Sequence, residues 1–214
     1  MDEEITIIDA NTRNEKIKNF FIKNKKNFII IISITLTLVV GYFYFDEVKK
    51  RNKIKLANQF NYAKIAFNAG EKSNLINKLT DIVNKLDTTY SPLALYFILD
   101  NDLIKNKDDV NNLFDVLINQ TNFEKEINNL IIYKKALYNS DFSNENDLIQ
   151  ILNPIINSES IWKSHALYLM AEYFYSKNEY QKAKEFFNQI LILPNSNSEI
   201  KLKSQKRISR DFGE

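Results

Sequence analysis

His165 is the chain's only histidine, and cysteine is absent. One imidazole cannot build a multi-histidine metal site, and no adjacent carboxylate or hydroxyl completes a nucleophile and base set around it. Without thiols there is no disulfide, thiolate metal site or cysteine nucleophile, though this leaves the compartment unassigned. Asp100-Asn101-Asp102 and Asp108-Asp109 supply oxygens of the type calcium prefers, but the glycine and closing glutamate of a calcium loop are missing. They read as helix caps. None of Gly41, Gly70 and Gly213 falls in a G-x-G-x-x-G or G-x-x-x-x-G-K pattern, so no loop cradles phosphate. Net charge is +2 with acids and bases interleaved, which disfavours a nucleic-acid partner. The residues assign no catalytic, cofactor or metal site, and the chain reads as a non-enzyme.

What remains for function is the scaffold. Phe28 to Phe45 is an uncharged run (FIIIISITLTLVVGYFYF) that makes a helix of about 27 Å, close to the roughly 30 Å hydrocarbon layer. Lys23, Lys25 and Lys26 precede it and Lys49, Lys50 and Arg51 follow, with Tyr42 and Tyr44 at interface height. The run leaves through Tyr42-Phe43-Tyr44-Phe45 and not through small residues, so it reads as a retained anchor in contact with lipid and not as a cleaved leader. Bases balance across it. Asp46 and Glu47, together with the long domain that follows, favour a cytoplasmic amino terminus and an external remainder. The expected organisation is a basic amphipathic segment at 1–27, the membrane helix at 28–45, and one repeat domain at 46–214. In the first segment Thr12 and Glu15 have capping-box spacing, and Ile17, Phe20 and Phe21 share a face suited to lying among headgroups or docking a partner.

No alternating strand pattern occurs, so the class is all-α. Leu56, Phe60, Ala63 and Phe67 continue the membrane helix as a stalk ending at Gly70, and Leu75, Leu79, Ile82 and Leu86 line its antiparallel return. Ser91-Pro92 reads as a cap with proline at the first helical position, opening a second pair whose return carries Val110, Phe114 and Leu117. A third pair runs Glu126 to Tyr138 and Asn144 to Leu152, stopped near Pro154. The tail starts at a Ser198 cap, turns Ile200 and Ile208 inward, exposes Lys201, Lys203, Lys206, Arg207 and Arg210, and seals the array.

The last pair is the most regular. Leu167, Met170, Ala171 and Phe174 line one helix, Lys177 to Tyr180 make the turn, and Ala183, Phe187, Ile190 and Leu191 line the next before Pro194. That is a tetratricopeptide-type unit, in which small Ala171 and Ala183 allow close approach. With the segment EKIKNFFIKNKKN, the anchor and LNPIINSESIWKSHALYLMAEYFYSKNEYQKAKEFFNQIL, the chain resembles the YfgM-like family of ancillary SecYEG translocon subunits. The resemblance implies an α-solenoid outside the cytoplasm at the bacterial inner membrane, partnered by Sec translocon subunits, exported polypeptides or periplasmic chaperones. A related branch of repeat proteins coordinates envelope growth with division. On the repeat's geometry, His165, Tyr168, Glu172 and Tyr175 face the concave side where such arrays bind peptides. The alternative is that this face packs on a neighbouring unit or a sister protomer. Trp162 reads as a packing anchor between the last pair and its predecessor.

Overall fold

The computed structural model describes residues 14–71 and 74–213, and every regular element among them is a helix. These are α1 (14–23), α2 (Lys25–Asn68), α3 (Leu75–Val83), α4 (Tyr90–Asp100), α5 (Lys107–Gln120), α6 (Lys125–Asn139), α7 (Glu145–Ile156), α8 (Lys163–Ser176), α9 (Tyr180–Ile192) and α10 (Ser198–Asp211). The chain divides into two compact units, Met1–Lys55 and Leu56–Glu214.

In the first unit, α2 is long and apolar enough to cross a membrane, and none of its apolar window is buried by protein. Thr35 and Thr37 donate their hydroxyls to the carbonyls of Ile31 and Ser33, both at 2.9 Å, so both donors are satisfied within the helix. Ile17, Phe20 and Phe21 of α1 are exposed, and Phe21 stacks on Phe28 with ring centroids 4.8 Å apart. Thr12 of the expected capping box lies outside the described residues.

The second unit is an array of helical hairpins around two apolar cores. Phe60, Ala63, Leu79, Ile82, Leu95, Ile98, Phe114 and Leu117 form one. Leu148, Leu152, Ile155, Leu167, Met170, Ala171, Phe174, Ala183, Phe187 and Ile190 form the other. Helix α6 is the wall between them: Ile131 faces the first core and its neighbour Ile132 the second. The closest packing is α8 on α9, α3 on α4, α9 on α10 and α6 on α7. The first half is therefore phased differently from the stalk–α3 and α4–α5 pairs expected. Helix α4 is apolar nearly all round, which removes the stripe that would have told its two neighbours apart.

One device ends four helices. Residue C′ takes a left-handed φ, its N–H returns to the carbonyl three residues back, and the next N–H returns five back, in the Schellman pattern. Gly70 (φ 81) does this after α2, with Gly70 and Glu71 donating to Phe67 and Ala66. Asp102 (φ 48) does it after α4, donating with Leu103 to Leu99 and Ile98. Asn178 (φ 62) does it after α8, donating with Glu179 to Tyr175 and Phe174. After α3 the residue is Leu86 (φ 56), and here a side chain relays the second bond. The buried Ser91 hydroxyl accepts from the Asp87 N–H (2.9 Å) and donates to the Ile82 carbonyl (2.7 Å).

Local signals misplace several ends. Ser91 is that relay and not a cap, because α4 starts at Tyr90 and the Asp87 carboxylate accepts from the N–H groups of Thr89 and Tyr90. Leu86 lies beyond α3, which ends at Val83. Helix α7 runs through Pro154 to Ile156; the lost hydrogen bond falls in its last turn, and Ile155 is fully buried as a result. The cap of α10 is Asn197, whose side chain accepts from Glu199 and Ile200 N–H, with Ser198 the first helical residue. Of the five tail cations expected in water, Arg207 is instead drawn inward, with a side chain 15% exposed.

Candidate protein-binding surface

Helix α8 is buried on one side through Ala166, Leu167, Met170, Ala171 and Phe174, which sets His165, Tyr168, Glu172 and Tyr175 together along another. Its start is fixed by Ser160, whose hydroxyl donates to Glu126 Oε2 (2.7 Å) and accepts from Asn129 Nδ2 (3.0 Å) and the Trp162 N–H (3.1 Å). The Ile161 N–H reaches the same carboxylate oxygen at 3.2 Å. This ties α6 to the entry of α8 and lets the Trp162 ring stack on Tyr133, 5.9 Å away and 21° from parallel.

The four side chains divide into two clusters. His165 sits against Trp162 (5.1 Å between centroids) and Tyr133 (5.9 Å), with Nδ1 buried. Burial holds its pKa below the usual 6.5, against the pull of Glu199. Tyr168, Glu172 and Tyr175 form the second cluster with α9 and α10. Tyr168 lies edge-on to Phe187 at 5.6 Å, and burial together with a hydrogen bond to Glu172 pushes its phenol up to about 12. Glu172 accepts two parallel bonds from Arg207, 2.8 Å from Nε and 2.9 Å from Nη2. The same guanidinium lies 4.1 Å from the Tyr175 ring centroid and donates to Asp211. Phe212 adds its ring edge to Tyr175 at 6.2 Å.

No family model, curated protein or solved structure matches this chain.

Two features of the second unit, one on this surface and one away from it, differ from what local sequence signals predict. Arg207 was expected in solvent, although its place beside inward Ile208 and one turn from Asp211 was a usable signal. The second is a polar groove of about 760 Å³ at the starts of α5 and α7 and the end of α6. Its lining includes Asn111 and Asn139, whose amides exchange reciprocal bonds of 3.1 and 2.7 Å. Lys135 in its wall pairs with Asp115 at 2.7 Å, and Lys107 lies 3.7 Å over the Phe142 ring. Every one of these polar groups is engaged by a neighbour, so the groove has a set shape. Among the described residues, no three His, Asp or Glu side chains are grouped to hold a metal ion.

Proposed function

We propose that this chain is a membrane-tethered hairpin-repeat protein that binds other proteins and carries out no catalysis. Its α8 face would be the recognition surface. The observation that supports this is the arrangement of large, polar-tipped rings with one carboxylate on a rigid helix: Tyr168, Tyr175 and Glu172 are placed by packing on Phe187 and Arg207. The resemblance in the anchor and the last repeat specifies the role further, as an ancillary factor of the Sec translocon that hands exported chains to periplasmic chaperones, with α2 in the inner membrane and the repeats outside the cytoplasm. Photo-crosslinkers at Tyr168 and Tyr175 in intact membranes test it: trapped translocon subunits or secretory chains support the proposal, and sister copies alone refute it. A reporter active only outside the cytoplasm, fused after Glu214, tests the orientation.

A second reading, an envelope or division scaffold that self-associates, is favoured by one feature. Tyr62 and Ile65 of α2 are 57% and 66% exposed, large apolar side chains of the kind a sister helix covers. The same crosslinking experiment separates the two.

A further inference from the structure

Helix α10 packs mainly on α9 and reaches the face of α8 through Arg207, which engages Glu172 and Tyr175. That helix buries only Ile200, Ser204 and Ile208, against eight buried residues on α8, and its outer side carries Lys201, Lys203 and Lys206. Fourteen residues with so short an apolar stripe make a marginal helix by themselves, so α10 is helical because it is docked. Its two ends are held differently. The start is fixed by the Asn197 cap and by the Asn197 N–H bond to Ser164 Oγ at 3.2 Å. The end is held to α8 through Arg207, with Phe212 beside it.

We propose that α10 is a resident occupant of this surface, and that the surface selects basic amphipathic helices presenting an arginine for Glu172 and Tyr175 with an aromatic ring five residues later. The inference rests on reading α8 as the recognition helix, and it names the class of partner. Arg207 and Phe212 show the required spacing. The carboxylate demands a cation, the Tyr175 ring demands a flat one, and the bidentate geometry demands a fork, conditions that guanidinium meets and ammonium does not. A partner helix gains access when the segment from Ser204 onward undocks, an opening of the local kind that withdraws Ile208 and Phe212 from the edge of the second core and leaves the first untouched.

The test uses the full chain in nanodiscs and a fluorescent synthetic peptide of residues 197–213. Wild type should bind the peptide weakly, because its own helix competes. Arg207→Ala should quicken amide exchange over 204–212 and bind the peptide at least tenfold more tightly, and Arg207→Lys should fall between the two. Adding Glu172→Gln to Arg207→Ala should remove the gain, as should replacing the arginine of the peptide. Unchanged exchange in Arg207→Ala, or faster exchange with no tighter binding, overturns the proposal. The crosslinking above reads partners in membranes and the titration reads the face itself, so failure of one is distinguishable from failure of the other.

Discussion

Phe186 and Phe187 are adjacent, chemically identical and on one helix, so their truncation isolates what the packing direction is worth. Phe187 is fully buried, with Tyr168 5.6 Å and Phe212 6.3 Å away. Its replacement by alanine removes a complete aromatic burial and leaves a cavity, which costs about 3–5 kcal/mol. Phe186 is largely buried and stacks on Phe174 at 5.5 Å and 14°. Losing most of the transfer energy and one ring pair, with no sealed cavity left behind, should cost about 2–3 kcal/mol. Trp162, stacked on Tyr133 where α6 meets α8, is the only tryptophan and reports unfolding directly. In urea, with a slope of about 2 kcal/mol per molar, the midpoint should fall by about 1.5–2.5 M for Phe187→Ala and about 1–1.5 M for Phe186→Ala. Equal shifts, or a larger one for Phe186, would refute the register assigned to α9 and the face of α8 that depends on it.

Glu126→Ala should cost about 1–3 kcal/mol in the same assay, since it strips the acceptor from the Ser160 hydroxyl and the Ile161 N–H; Glu126→Gln, which keeps one oxygen, should recover most of it. His165 has a folded pKa below its unfolded 6.5, so the unfolded chain binds more protons as pH falls. The stability it contributes is present above pH 6.5 and lost as pH drops through the folded value, and His165→Gln should flatten the denaturation profile between pH 7 and 5. Asn178→Gly should leave stability within about 0.5 kcal/mol of wild type, whereas Asn178→Ala should lose about 1 kcal/mol, because only a residue tolerant of positive φ suits that corner.

The long apolar helix and the last hairpin were legible because each is a strong periodic or length signal: an uncharged run of membrane span, and apolar residues at helical spacing with alanines where axes approach. The four residues on α8 share a face for the same reason. What escaped was set by partners distant in the chain. Arg207 reads as a solvated cation until Glu172, 35 residues away, is placed opposite it. Ser91 looks like a cap until the Ile82 carbonyl, nine residues back, is seen to need a donor. Pro154 has a local rule that ends helices, overridden because one more turn buries Ile155. The phase of the first hairpins was hidden by α4, whose YSPLALYFIL run offers no polar side to orient it.

The Schellman corners bear on how repeats in such a chain are found. Of the four corners with this bond pattern among the described residues, glycine marks one, Gly70, and Asp102, Asn178 and Leu86 occupy the equivalent places elsewhere. A search keyed on glycine would therefore find one of these four boundaries. Relatives of this protein should be aligned by backbone turn class, treating Gly, Asn and Asp as one letter at these positions; the unit length then becomes measurable even where the helical signature has worn away.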